Sequence, residues 1–184
     1  MSKIKIDKSW TLFLDRDGVI NEKIDNDYVK NINEFKFKQG VLEIMPFLNK
    51  NFNRIVVVTN QQGISKGIMT EKDLSIVHNH LKNEIEKVDG RIDKFYFCPE
   101  LAINNPIDRK PNIGMGIKAK EDFPEINFEK AIMVGDSMSD MKFGKRLNMT
   151  TIYIKSKKIL SPDDEKYIDY ICDKLYDIKE IISL

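Results

Sequence analysis

The stretch Trp10-Thr11-Leu12-Phe13-Leu14-Asp15-Arg16-Asp17-Gly18 runs a short apolar segment directly into two carboxylates and a glycine. A continuous apolar run of this length suits a strand covered on both faces of a parallel sheet, with the charged residues emerging at its carboxyl end. The arrangement recurs downstream. Ile55-Val56-Val57-Val58 leads into Thr59-Asn60-Gln61, Phe95-Tyr96-Phe97 into Cys98-Pro99, and Ala131-Ile132-Met133-Val134 into Gly135-Asp136-Ser137, with a further run at Thr150-Thr151-Ile152-Tyr153-Ile154.

Helical periodicity fills the intervals. Val41, Ile44, Met45 and Leu48 fall at i, i+3, i+4 and i+7 and predict a helix over 41–51. Residues 70–88 open as Thr70-Glu71-Lys72-Asp73, a cap with an acidic residue three places on, and carry Leu74, Val77, Leu81, Ile85 and Val88 as one stripe. Shorter helices are expected over 112–122 and 139–147, and a last one over 175–182. Strand alternating with helix defines an α/β fold with a central parallel sheet. Residues 18–40 show no clear period and are expected to form a loop or small hairpin beside the strand ends, where α/β proteins bind ligands.

Thirty Lys and Arg against 29 Asp and Glu leave a net charge of +1, without the basic excess of a dedicated nucleic-acid binder. Two cysteines far apart, Cys98 and Cys172, argue against a disulfide framework and for a reducing compartment. The lysine-rich residues 1–10 have no apolar core of signal-peptide length, and no apolar run approaches the roughly 20 residues of a membrane span. A cytoplasmic protein with no membrane partner is expected. With no repeat and no low-complexity linker, residues 1–184 read as one domain.

The strand ends carry the chemistry. Asp15 and Asp17, in one turn, can serve as nucleophile and acid/base around a shared cation, since a carboxylate attacks a phosphate well only when the charge repulsion is neutralised. Thr59 offers a hydroxyl and a backbone N–H to a phosphate oxygen, with Asn60 and Gln61 as further donors. In Asp108-Arg109-Lys110-Pro111, Lys110 can bridge nucleophile and phosphate, Arg109 can fork onto a second phosphate or a sugar hydroxyl, and Pro111 suits the first turn of the next helix. Asp136 can complete the oxygen shell of a Mg²⁺ held by Asp15 and the Asp17 carbonyl. Asp140 can hold a helix start or orient Lys110. Each element alone is also an ordinary feature: a solvated turn, a strand-ending polar loop, a surface Lys/Arg pair, a helix cap. Their order, at four consecutive strand ends, is what selects the phosphate-transferring reading.

These motifs resemble the haloacid dehalogenase superfamily in its usual order, across roughly residues 10–154. The resemblance implies a Rossmann-like three-layer core with Asp15 as nucleophile, Asp17 as general acid/base, Thr59 and Lys110 on the phosphoryl group, and a Mg²⁺ bound by Asp15, Asp17 and Asp136. Residues 13–21, Asp27-Tyr28-Val29, and Val58 through Gly67 are similar to the subgroup of D-glycero-D-manno-heptose 1,7-bisphosphate and histidinol-phosphate phosphatases, as are Phe97-Cys98-Pro99 and Arg109-Lys110-Pro111. Residues 67–71 lean toward the heptose enzymes. The implied substrate is a small phosphorylated molecule, with heptose bisphosphate first and with histidinol phosphate, another sugar phosphate or a polynucleotide 3′-phosphate as rivals. Arg109, Asn60 and Gln61 would line its pocket. A binding protein that keeps the fold without catalysis is the competing class, and every catalytic residue is retained against it.

One departure stands out. The subgroup binds a structural zinc through three cysteines and a histidine in the loop before Arg109, but here only Cys98 remains and Glu100 stands where histidine is expected. One thiolate does not make a tetrahedral site, so no structural zinc is expected. His78 and His80, two apart on the 70–88 helix, do not share a face and are not read as metal ligands. The spacing of the motifs leaves no room for a large cap domain, so the site is expected to be open, covered by residues 18–37 and 98–109. Trp10 and Cys172 read as packing residues, and the oligomeric state is not legible.

Overall fold

The computed structural model describes residues 3–157 and 159–184, so Met1 and Ser2 of the N-terminal segment read above lie outside it. Its elements run β1 (Ile4–Lys5), β2 (Thr11–Leu14), α1 (Val41–Asn51), β3 (Arg54–Asn60), α2 (Glu71–Glu86), β4 (Lys94–Cys98), α3 (Gly114–Asp122), β5 (Ala131–Gly135), α4 (Met138–Arg146), β6 (Thr150–Ile154), α5 (Pro162–Glu165), β7 (Tyr170–Cys172), α6 (Ile178–Ile181) and β8 (Ile182–Ser183). β2 to β7 form a six-stranded sheet in the order β4-β3-β2-β5-β6-β7, parallel throughout. It is the α/β three-layer fold expected from the strand–helix alternation.

Successive strand residues point to opposite faces, and both faces are apolar. Leu12 and Leu14 join Ile55, Val57, Ile132 and Val134 on one side, where Ile44, Leu48, Val77 and Leu81 of α1 and α2 cover them. Phe13 points the other way with Val56, Val58 and Met133, under Met115 and Ala119 of α3 and Phe143 of α4. Both layers are dry, which explains why the strands read as unbroken apolar runs. The chain leaves β2 toward β3 and β4 on one side and returns to β5, β6 and β7 on the other. The strand order therefore reverses between β2 and β5, opening a crevice at their carboxyl ends.

The α2 start bears out the cap: Thr70 and Asp73 form a reciprocal capping box. Helix bounds shift by one or two residues at α2, α3 and α4, and the tail differs in kind. α3 begins at Gly114, so Pro111 lies in the turn before the helix rather than in its first turn. The tail expected as a helix over 175–182 forms a 3₁₀ turn (Leu175–Asp177) and one short α6, then leaves helix at Ile182 to pair in parallel with β1. Ile4, Ile6 and Ile182 are all buried by that pairing, and the β-branched Ile181-Ile182 step tolerates it. Trp10 packs against the core edge, and Cys172 is buried. Among the described residues, no helix is long and apolar enough to cross a membrane.

Candidate active site

β2 ends by passing its last ladder bond to Asp15, whose N–H donates to the Val134 carbonyl at 2.9 Å. The chain then closes on itself: the Ile20 and Asn21 N–H groups both donate to the Arg16 carbonyl, and the Gly18 N–H donates to that of Asn21. Gly18 takes φ of 94°, a left-handed conformation open mainly to glycine, and a Cβ there would overlap the Asp136 carboxylate. The turn thus brings the loop after β2 against the loop after β5.

Asp15 is buried, and its Oδ1 accepts from the Lys110 ammonium at 2.9 Å. Lys110 is equally buried; it also donates to the Val58 carbonyl at 2.6 Å and lies 2.5 Å from Asp140 Oδ1. Its backbone is gripped by Asn60, whose side chain donates to the Lys110 carbonyl and accepts from its N–H. Asp140 does both things expected of it, since its other oxygen accepts from the Ser137 N–H and hydroxyl at the start of α4. Gly135 permits this approach, because a Cβ there would collide with the Asp140 side chain.

The carboxylates Asp15, Asp136 and Asp140 are buried and each offers an oxygen within 4.8 Å of the others, the one such group of three or more potential ligands among the described residues. Asp136 Oδ1 is buried without a hydrogen-bond partner, and Oδ2 takes only a 3.3 Å contact from the half-exposed Lys23. Burial, and then the Asp140 charge, push Asp15 up to about 7 against the pull of Lys110. Burial likewise raises Asp136, partly offset by Lys23. For Lys110, burial is outweighed by Asp140 and Asp15, which hold its ammonium form firmly. A pocket whose acids resist ionisation and keep an orphaned oxygen is short of positive charge, and a hard divalent cation with oxygen ligands fits it.

Asp17 points differently. Its carboxylate accepts from Arg16 Nη2 at 2.9 Å, Asn21 Nδ2 at 2.9 Å and Gln61 Nε2 at 2.8 Å. Burial opposes its ionisation, but Arg16, Asn21 and Gln61 together win and hold it below the usual carboxylate range. With its side chain so engaged, the backbone carbonyl is the donor it has left for a metal.

Above these groups lies a cavity of about 450 Å³, lined by Asp15, Asp17, Thr59, Asn60, Lys110 and Asp136 at its floor. Lys23 and Tyr28 from the 18–37 loop and Arg109 from the 98–109 loop reach its walls as expected, and the segment between β3 and α2 adds Gln62 and Lys66, which were not expected there. Gln61, expected to line the pocket, is fully buried beneath it and ties Asp17 to the Thr59 hydroxyl. Its N–H is held by the Cys98 carbonyl at 2.7 Å, which turns it under the sheet edge. The sequence reading also missed Lys23, whose partner Asp136 lies 113 residues away, and Arg16, a charged residue that strand-end logic had no reason to bury.

The family model described as polynucleotide kinase 3 phosphatase matches residues 11–171. A Campylobacter jejuni protein named D-glycero-alpha-D-manno-heptose-1,7-bisphosphate 7-phosphatase is 37% identical over 177 residues, 96% of this chain and 95% of that protein. The Escherichia coli K12 protein named for the beta anomer is 32% identical over 180 residues, 94% and 93% of the two chains. Among solved structures, the D,D-heptose 1,7-bisphosphate phosphatase from B. bronchiseptica, complexed with magnesium and phosphate, superposes with a TM-score of 0.81 at 22% identity, covering 93% of this chain and 96% of that one.

Proposed function

Because the chain belongs to the D,D-heptose 1,7-bisphosphate phosphatase family of the haloacid dehalogenase superfamily, we propose that it is a Mg²⁺-dependent phosphatase that removes the C7 phosphate from a heptose 1,7-bisphosphate. The observation that carries the chemistry is the buried Asp15–Lys110–Asp140 chain beside the under-partnered Asp136.

Asp15, Asp136 and the Asp17 carbonyl would hold Mg²⁺, which supplies the positive charge that lets a carboxylate approach a phosphate. Asp140 has the proximity but is occupied by Lys110 and by the α4 cap. In the proposed reaction an Asp15 oxygen bonds to phosphorus as the ester P–O bond breaks. The departing electron pair stays on the sugar oxygen, which takes a proton from Asp17. A primary alkoxide is a poor leaving group, so this proton matters. The phosphate dianion itself adds negative charge beside Asp17 and draws a proton onto it before transfer. Water then bonds to phosphorus while giving its proton to Asp17, and the aspartyl P–O bond breaks to release phosphate and restore Asp15. Lys110 stabilises the charge on the moving phosphoryl group, and the Thr59 hydroxyl or N–H receives one of its oxygens. Arg109, on the pocket wall, suits a second phosphate by its planar fork.

The polynucleotide name of the matched family model favours a second reading, a 3′-phosphate on a nucleic acid. The full-length relatives and the net charge of +1 weigh against it. We also propose that residues 1–184 act as one domain without structural zinc. Cys98 is the sole thiol near the loop, and hydrogen bonds close that loop instead: the Asn112 amide donates to Asn105 Oδ1 at 2.9 Å and to the Pro106 carbonyl at 3.0 Å, the Gly114 N–H donates to Ile107, and Lys118 pairs with Asp108. Two free, buried cysteines support a reducing, cytoplasmic setting.

The test is phosphate release from both heptose 1,7-bisphosphate anomers, histidinol phosphate, simple sugar phosphates and a 3′-phosphorylated oligonucleotide, with and without Mg²⁺. Release from a heptose bisphosphate well above the rest, requiring Mg²⁺, supports the proposal. Comparable or faster release from the oligonucleotide replaces it with the second reading.

A further inference from the structure

Arg16 is fully buried between the catalytic loop and α2. Its fork is divided: Nε and Nη2 face Asp17 at 3.3 and 2.9 Å, while Nη1 lies 3.3 Å from Nε2 of His78, 62 residues away on α2. A guanidinium only donates, so Nε2 of His78 is the acceptor and its Nδ1 carries the ring proton. The ring is stacked on Phe95 of β4 at 4.4 Å with an interplanar angle of 15°, and Phe97 stands edge-on at 6.4 Å. His78 is therefore fixed by packing and presents one lone pair to one donor.

We propose that His78 and Arg16 are positioning residues for the acid/base carboxylate: His78 takes Nη1 so that the remaining N–H fork of Arg16 aims Asp17 at the leaving-group oxygen. Without that acceptor a buried cation carries an unmet donor, and rotation of the guanidinium to meet it pulls on the Asp17 carboxylate against the Asn21 and Gln61 amides that also hold it. Sub-ångström placement of an acid/base group is worth large factors in rate. The inference rests on the acid/base role given to Asp17 above. The bland alternative is a histidine that merely fills space beside Phe95.

The experiment compares an alkyl phosphate substrate with p-nitrophenyl phosphate, whose phenolate leaves without a proton. His78→Phe keeps the stacking and removes the acceptor, and His78→Gln restores an acceptor oxygen. Asp17→Asn sets the reference, because a misaligned acid should copy a missing one in kind. The expected result is a roughly 10²-fold fall in kcat/KM, which reports cleavage of the ester bond, on the alkyl ester for His78→Phe, and a fall of about threefold or less in kcat/KM on the aryl ester, with most of the loss recovered by His78→Gln. The second step, in which Asp17 takes the water proton, is shared, so kcat is expected to fall on both. Equal losses of kcat/KM on both esters, no loss on either, or no recovery by His78→Gln would overturn the inference. If His78→Phe does not fold by circular dichroism, Arg16→Lys carries the same comparison, since an ammonium cannot fork; equal losses on both esters then overturn it. If Asp17→Asn itself shows no leaving-group dependence, the acid/base reading fails rather than this one.

Discussion

The Lys110 ammonium lies 2.9 Å from the Asp15 carboxylate, although 95 residues separate them: Asp15 directly follows β2, and Lys110 lies in the segment between β4 and α3. Lys110 reaches across by lying over the end of β3, donating to the Val58 carbonyl on the way. One cation thus ties the turn after β2 to β3 and, through its third contact, Asp140, to the first turn of α4.

Removing that cation should cost both activity and stability. Lys110→Met leaves two buried carboxylates without their counter-ion, and breaking a buried pair costs about 3–5 kcal/mol. The expected outcome is phosphate release reduced by about 10²-fold or more and a lower thermal midpoint, partly recovered by Mg²⁺. A phosphate-release assay checks the first, and calorimetry with and without Mg²⁺ the second.

Gly18→Ala should strike the metal site without replacing a ligand. The new Cβ needs the space of the Asp136 carboxylate and sits at a φ of 94° that alanine resists. Apparent Mg²⁺ affinity, read by titrating activity with the metal, should weaken by about tenfold or more, as for losses of supporting residues around metal sites. An unchanged titration would mean that Asp136 is not a ligand.

His78 makes stability depend on pH. Burial first, and then the Arg16 charge, depress it from the ordinary 6.5 to about 3, against a small opposing pull from Asp17. The unfolded chain therefore takes up a proton below about 6.5 that the folded chain refuses. The contribution is intact above that pH and is lost as pH falls toward 3, at up to about 1.4 kcal/mol per pH unit. Urea unfolding of the wild type and His78→Gln at several pH values should show the wild type losing stability faster between 6.5 and 4; parallel losses would contradict it.

The loop before Lys110 should hold without metal. Elemental analysis of protein purified without chelator should find no stoichiometric zinc, and a chelator should leave the thermal midpoint unchanged in Mg²⁺-free buffer. Asn112→Ala, which removes the amide that closes the loop onto Asn105 and Pro106, should weaken substrate binding by raising KM more than it lowers kcat.

The parts legible in the sequence were those set by local period and short-range chemistry. Strands such as Thr11–Leu14 announced themselves because both faces are dry, and Thr70 and Asp73 announced α2 because a capping box is a three-residue pattern. β7, with three residues, and the β1–β8 pair, with two each, are too short to carry a period and exist through tertiary pairing. In the site, Asp15, Thr59, Lys110 and Asp136 could be expected from strand ends. Gln61 beneath the floor could not, since Cys98 of another strand turns it inward. Nor could the Arg16–His78 contact, which joins a turn to a helix 62 residues away and leaves no local pattern.

The role of Asp15 as nucleophile is tested most directly by rapid quenching in acid during turnover of a radiolabelled phosphate ester. The expected result is label trapped on the protein as an acyl phosphate, labile to hydroxylamine, mapping to the peptide that contains Asp15 and absent in Asp15→Asn. Turnover with no trapped label, or label on a residue other than Asp15, would contradict it.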